Sequence, residues 1–486
     1  MRIAVVRGSL MTGLTNRVPL SDSIRSPNVD GMRFNVLAKL GEAVTVRPYV
    51  TFVVHNCHVS QLRPAGVNVA QRLYRGSNGN ISRNIPRKTQ HHHLLQHDKT
   101  LIRFCSSKSS ASQSQSQSPL AWQIGQYGGN STLKLTECQM PVIKKANEVL
   151  IKQVHAASVN PIDVKNRSGY GAVFLNKARG VKPGDEFPLT LGRDCSGVVA
   201  EIGRGVRDIK EGDNVWTTIN AVRQGTFADY VIATTDEVGL KPSNLTHIEA
   251  ASIPYVATTN WSAIYAVAKI RPANALGKRA LILGGSGGVG TFGIQLLKAW
   301  GVNVTVTCSE NAFDLVYGLG AHHAVDYKSP NILEELLKHG QYDLIVNTIG
   351  ESMEDMSVKL IKEKAYAQYV TLVAPFIDEM EKKGLFAGGL SSSLMLFQKS
   401  RKFSALGGTY RWAFAQPNSF ALKEVAKLVE DGKIKPVIDE TFDFQDLPAA
   451  FERVEKGHLR GKVVVNVAHG DLGSHVTGEV PRLFDE

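Results

Sequence analysis

The segment Gly284-Gly285-Ser286-Gly287-Gly288-Val289-Gly290 limits what this chain can fold into more than any other stretch. It follows the apolar run Ala280–Leu283 and opens a helix-patterned stretch with Val289, Phe292, Leu296, Leu297 and Trp300 on one face. Gly285, Gly287 and Gly290 fit the spacing G-x-G-x-x-G. In that pattern the first glycine makes the tight turn, the second lets the backbone approach a pyrophosphate, and the third lets helix and strand pack closely. The helix start offers N–H groups and a positive dipole end to the phosphates, with Ser286, Gly288 and Val289 completing the predicted turn. Glycine spacing alone is common in loops, so the surroundings decide.

Those surroundings alternate strand and helix across Leu276–Pro375. Strands are expected at Arg279–Leu283, Val302–Thr307, Ala324–Tyr327, Tyr342–Asn347 and Tyr369–Val373. Such alternation implies a parallel sheet covered on both faces. Upstream, Ala121–Ile124, Glu148–Ser158, Leu189–Glu201 and Gly212–Thr218 are strand-like and separated by Gly/Pro turns, which predicts an antiparallel, barrel-like unit. Helical periodicity begins near Tyr255, and Phe420–Val467 reads as helix, strand, helix, strand. The expected class is α/β, an antiparallel barrel joined to a doubly wound Rossmann sheet.

The charge is confined to one end. Residues 1–118 carry 16 Lys and Arg against 4 Asp and Glu, an excess equal to the +12 of all 486 residues, so the remainder is electroneutral. A neutral body disfavours nucleic-acid binding, which needs a basic face. The leader is basic, acid-poor and ends in the low-complexity run Ser106–Ser118, as mitochondrial targeting segments are. Arg103-Phe104-Cys105-Ser106 has the arginine spacing of a matrix-protease cut, and a disordered tail with no address is the other reading. No apolar run is long enough to span a membrane; the best, Val44–Val54, is broken by Arg47. Five scattered cysteines (Cys57, Cys105, Cys138, Cys195, Cys308) argue against a disulfide framework or a Cys-rich zinc lobe.

The end of the second strand chooses the cofactor. NAD enzymes place an acid there to hold the ribose hydroxyls, and it repels a 2′-phosphate. Here the strand ends Thr307-Cys308-Ser309, with Glu310 one residue later. Register places Ser309 nearest the ribose, which favours NADPH over NADH. Capping of the next helix is the alternative role for Ser309, and no Arg or Lys follows directly to clamp the phosphate.

Alongside the turn stand HAASVNPID (His155–Asp163), RSGYG (Arg167–Gly171), LGRDCSG (Leu191–Gly197), IPYVATTNWSAI (Ile253–Ile264), YVTLVAP (Tyr369–Pro375), YRWAF (Tyr410–Phe414) and GKVVVNV (Gly461–Val467). With them, Ala121–Val467 resembles the zinc-free quinone oxidoreductase branch of the medium-chain dehydrogenase/reductases, in particular its mitochondrial reticulon-interacting type. The resemblance implies a GroES-like catalytic domain from residues 119–255, rejoined by 417–467. A Rossmann domain of 256–416 is inserted between them, and residues 468–486 form a tail. It also implies a matrix NADPH-dependent enzyme, a link to ubiquinone metabolism and a possible reticulon-type partner. An NADPH-binding interaction protein without turnover is the competing reading.

Zinc enzymes of the superfamily use Cys and His as catalytic ligands. At the matching positions this chain has Asn160 and Arg193, with Asp194 where their Glu stands, and neither Asn nor Arg suits zinc. Without a Lewis acid, alcohol oxidation lacks a strong stabiliser for its alkoxide. Hydride addition to a quinone or enone is easier, because the charge spreads to an oxygen that hydrogen-bond donors can hold. Candidate donors are Asn160 and Tyr170, each with a structural alternative: Asn160 as a turn start, Tyr170 as loop packing. Arg193 and Asp194 are expected as an ion pair, and His155 as a core histidine. Position in the family adds Ser309, Tyr327 and Asn347 as cofactor contacts, Gly350 joins Asn347 at the carboxyl edge of the fourth strand, and the polar step Gly407–Arg411 offers Arg411 as a phosphate partner, against sheet-edge packing for Tyr327 and a solvated face for Arg411. The loop Ala172–Glu186 resembles an insertion that narrows the cleft. Close relatives begin the turn with Gly-Ala-Ser, and Gly285 in place of that Ala is expected to be a permissive change.

Overall fold

The structure is a computed structural model and describes residues 118–363 and 366–468. The leader, its cleavage motif and the tail lie outside the described residues. Six parallel strands form the cofactor-side sheet: β9 (Arg279–Leu283), β10 (Asn303–Cys308), β11 (His323–Asp326), β12 (Leu344–Asn347), β13 (Gln368–Thr371) and β14 (Thr409–Trp412). Their order is β11-β10-β9-β12-β13-β14, so the strand order reverses beside β9, where such sheets bind ligands. Five of these strands follow from the periodicity. The sixth does not, because an edge strand reads as the polar step Gly407–Arg411.

The other body is built on β3 (Glu148–Val159), which pairs with β5 (Asp194–Ile202), with β7 (Tyr230–Thr234) and with β16 (Lys462–Asn466). Beyond these, β15 (Ile438–Asp443) lies outside β16, and β6 (Asn214–Thr218) and β8 (Val238–Leu240) continue from β5. A small sheet, β2-β1-β4, closes one side with Leu133–Glu137, Leu120–Ile124 and Leu189–Thr190. The expected single strand Leu189–Glu201 is thus two, because Gly192 sits at φ +101° and turns the chain. Val465 lies opposite Ala157, so the final strand returns to the body that begins the described chain.

The helices that matter for the site are α1 (Pro161–Arg167), α2 (Ala172–Arg179), α3 (Pro254–Asn260), α4 (Gly288–Ala299) and α5 (Phe376–Ser404), the last kinked at Gly384. The expected loop at 172–186 therefore begins as a helix. α2 crosses to α5: the Val173 N–H donates to Glu381, and Phe174 meets Phe376 edge-on at 6.3 Å. In α4, Phe292, Leu296 and Leu297 are buried, as the apolar face requires. Among the described residues no helix is long and apolar enough to cross a membrane.

Candidate active site

The glycine turn divides its duties differently from the simple pattern. Gly284, not Gly285, carries the left-handed conformation (φ +93°), and a side chain there would strike Thr348 Oγ1. Gly285 lies against β10, where an added Cβ would fall 2.6 Å from the Cβ of Val306. The position is therefore close-packed. Gly290 is the close-packing glycine, since its Cβ would stand 2.2 Å from the Gly284 carbonyl oxygen. Gly287, at the start of α4, faces open space, and no side chain caps the helix. An anion can therefore approach the helix start there.

The far side of the turn is closed by the other body. The Gly461 N–H donates to the Ser286 carbonyl at 3.0 Å, and Gly288 packs on the stem of Lys462. Val289 is held from behind, its carbonyl accepting from Asn260 of α3 at 2.9 Å. Thus β16 reaches the turn and places Lys462 beneath it.

Lys462 enters a fully buried polar cluster. Its Nζ donates to Asn160 Oδ1 and lies 3.8 Å from Asp194 Oδ2. Asp194 also accepts from Ser158 Oγ (2.7 Å), Asn160 Nδ2 (2.9 Å) and the Tyr255 N–H (3.2 Å). Burial pushes the Asp194 carboxyl up and the Lys462 ammonium down, and each partner opposes the other's shift. Asn160 starts α1, with its N–H held by Asp163 Oδ2 at 2.8 Å. Both amide hydrogens of Asn160 are engaged, on Asp194 and the Ser158 carbonyl. The geometry makes it an organiser of the cluster.

The expected Arg193–Asp194 pair does not form. Asp194 points to Lys462, and Arg193 instead faces Asp163, Nε to Oδ1 at 3.8 Å. Burial raises the Asp163 carboxyl to about 6, against the pull of Arg193 and the hydrogen bond from Asn160. Among the described residues no group of three His, Cys, Asp or Glu could hold a metal. The chemistry of Asn160 and Arg193, one spent on Lys462 and the other a cation, does not fit zinc.

Tyr170 is half-buried beside an open depression of about 480 Å³ that Val164, Ser168, Asp378 and Glu381 also line. Its hydroxyl is pushed up to about 12 by burial and by Asp378 and Glu381. It therefore stays protonated at neutral pH, as a hydrogen-bond donor must. Tyr255, whose N–H holds Asp194 and whose ring centre lies 6.0 Å from Lys462 Nζ, was missed by sequence reading, since an apolar helix start gives no sign of it.

At the far end, Ser309 Oγ donates to Asn311 at 2.8 Å and caps nothing. Tyr327 follows β11, its N–H bonded to the Cys308 carbonyl at 3.2 Å, so Ser309 and Tyr327 end neighbouring strands. Lys328 lies over the Tyr327 ring, 5.7 Å from its centre. That cation was missed because it comes from the turn after the adjacent strand and not from the residues after Ser309. Asn347 is fully buried and spends its amide on Gly350 O, Tyr369 Oη and the N–H groups of Ile349 and Gly350. It shapes the turn at Gly350, whose φ of +131° requires glycine. Arg411 stands exposed on β14, three strands from β9, and is not brought to the glycine turn. His155 is half-buried and stacks on His247 at 4.2 Å, away from this cluster's hydrogen bonds.

Two family models match: the alcohol dehydrogenase GroES-like domain over residues 145–243 and zinc-binding dehydrogenase over 319–465. The chain is 49% identical over 352 residues to the human protein named NAD(P)H oxidoreductase RTN4IP1, mitochondrial, covering 71% of this chain and 89% of that one. It is 33% identical over 362 residues to the chloroplastic NADPH-dependent alkenal/one oxidoreductase of Arabidopsis thaliana, covering 71% and 78%. Among solved structures, the quinone oxidoreductase of Coxiella burnetii superposes with a TM-score of 0.59 at 28% identity, over 72% of this chain and 99% of that one.

Proposed function

The chain belongs to the mitochondrial NAD(P)H oxidoreductase family of the reticulon-4-interacting type, within the medium-chain dehydrogenase/reductases, and from that premise we propose that it is a zinc-independent, NADPH-dependent reductase of quinone or enone acceptors. The observation that carries this reading is the juxtaposition of the open Gly287 face with the buried Lys462–Asn160–Asp194 cluster, where a zinc site would otherwise stand. Gly285–Gly290 would hold the pyrophosphate, and Ser309, Tyr327 and Lys328 the adenosine ribose with its 2′-phosphate. When bound, the cofactor supplies the hydride.

The chain's own part is geometry and polarity. Asn160 and Asp194 fix the floor of the cleft, and Asn347 holds the turn at Gly350. Tyr170 keeps its proton and donates to the acceptor oxygen. The alkenal/one and quinone oxidoreductase names of relatives support a conjugated carbonyl as the acceptor class. A matrix location accords with the basic leader and with the relatives named mitochondrial, and a role in ubiquinone metabolism follows from the likeness to a quinone oxidoreductase.

Steady loss of absorbance at 340 nm from NADPH with a soluble quinone or an alkenone tests the reading, and no turnover with either acceptor overturns it. The relative named reticulon-4-interacting protein 1 in Caenorhabditis elegans favours a second reading, a cofactor-holding partner of a reticulon-type protein. Tight NADPH binding without turnover is its signature.

A further inference from the structure

The long helix α5 leaves an apolar face in solvent. After the break at Gly384, Phe386, Leu390, Leu394 and Phe397 are 88%, 67%, 56% and 59% exposed. At 3.6 residues per turn they fall within an arc of about 80°, so they form one stripe about 16 Å long on one side of the helix. The opposite side is committed, with Gly388, Ser392 and Phe403 buried. Gly388 backs so closely onto the first half of the helix that an added Cβ would stand 2.4 Å from the Glu379 carbonyl oxygen. The helix therefore cannot roll its stripe inward.

Single exposed apolar side chains are ordinary, whereas several in one contiguous patch mark a contact surface. Charge narrows the partner. Lys383, Lys399 and Lys402 flank the stripe, but each is met by carboxylates of its own chain: Glu379, then Glu351 and Glu354, then Asp355. On this stretch only Lys382 and Arg401 lack an ion pair among the described residues. Cations already neutralised in this way offer little to an acidic peptide or an anionic lipid surface.

The order of the side chains narrows it further. Read from either end, the stripe runs Phe, Leu, Leu, Phe, centred near Ser392. Laid antiparallel against its own copy about a twofold axis at that point, it sets Phe386 of each copy against Phe397 of the other, and Leu390 against Leu394. That is the self-complementarity a twofold interface requires. With about 200 Å² for each fully exposed side chain of this size, the four offer roughly 500 Å² from one copy. A pair then buries about 1,000 Å², the lower bound for a specific interface.

We propose that the Phe386–Phe397 face of α5 is a homodimer contact in which two copies of this chain pair antiparallel. Through Asp378 and Glu381 the same helix walls the depression beside Tyr170, so the contact joins the two copies through the helix that borders each depression.

Sedimentation equilibrium of the full chain reads the association directly. Wild type forms a pair with a dissociation constant in the micromolar range, as a small interface gives. Leu390→Glu and Leu394→Lys each weaken it at least about tenfold, because each sets a lone charge against a leucine. Both positions are exposed, so NADPH binding in either variant stays as in wild type and reports an intact fold. Mixed one to one, the two variants associate again. The antiparallel register then brings the carboxylate of one against the ammonium of the other and leaves leucine on leucine at the second contact. A wild type that stays monomeric, an association unchanged in both single variants, or a mixture that associates no better than either variant alone overturns the proposal. Retention of a monomeric wild type on phosphatidylglycerol vesicles also overturns it, and gives the stripe to a lipid surface.

Discussion

Lys462 donates to the side-chain oxygen of Asn160, a residue 302 positions earlier, while its ammonium lies 3.8 Å from Asp194. One lysine on the last strand thus ties the start of α1 to the start of β5, directly beneath the glycine turn. All three residues are buried.

Lys462→Met leaves the Asp194 carboxylate buried without its cation. A loss of about 3–5 kcal/mol is expected in urea unfolding, the usual penalty for a buried charge left unpaired. Lys462→Met with Asp194→Asn recovers most of that loss. Equal instability of the single and double variants would show that the pair is not coupled.

Asp163 gives stability an acid-side signature. Burial holds its folded carboxyl near 6, above the 3.8 of an exposed aspartate. The native state therefore keeps this proton longer than the unfolded chain. The contribution is full below about pH 4 and is lost as pH rises through 6, with a size of ~2–3 kcal/mol. Asp163→Asn removes that decline, as read from unfolding midpoints between pH 4 and 7.

His247 acts with the opposite sign. Burial first, then His155 and Lys241, lower its imidazole to about 4. Its neutral ring stacks on His155 and meets Ser196 Oγ at 2.8 Å. The stability it provides is complete above the unfolded value of 6.5 and is lost as pH falls toward 4. Solvent at its open edge screens the effect to about 1–2 kcal/mol. His247→Gln flattens the acid limb that remains in Asp163→Asn.

On the proposed reading, cofactor choice is set at the ends of β10 and β11. Ser309→Asp, by adding repulsion beside a 2′-phosphate, lowers the NADPH-over-NADH affinity ratio by about tenfold, or 1.4 kcal/mol. Lys328→Glu moves the ratio the same way. Fluorescence titration with both nucleotides reads it, and an unchanged ratio in both variants removes these residues from the ribose site.

Gly290→Ala places a methyl 2.2 Å from the Gly284 oxygen. Backbone atoms cannot swing aside as a side chain does, so a cost of at least about 1–3 kcal/mol is expected. Nucleotide binding weakens with it, because the same shift opens the turn. Calorimetric melting and nucleotide titration of one preparation report both.

Sequence patterning made the parallel sheet legible because buried strands there are continuous apolar runs, and a turn of five glycines in seven residues admits few settings. It misassigned contacts whose partners come from elsewhere in the chain. Arg193 next to Asp194 reads as a pair, yet Arg193 lies in the bend before β5 and Asp194 begins the strand, and the first meets Asp163 and the second Lys462. Gly284 and Gly285 are alike in composition, and only the backbone shows that the first bears the positive φ. Lys328 and Tyr255 reach the site by strand pairing and helix packing, neither of which leaves a local trace.

The contact of Gly461 with Ser286 also sets an order of assembly. The first 437 residues contain every strand of the six-stranded sheet but lack the segment that closes the turn from below. That side of the turn is completed only once the final strand has docked, so its closure waits on the C-terminal segment wherever the chain folds.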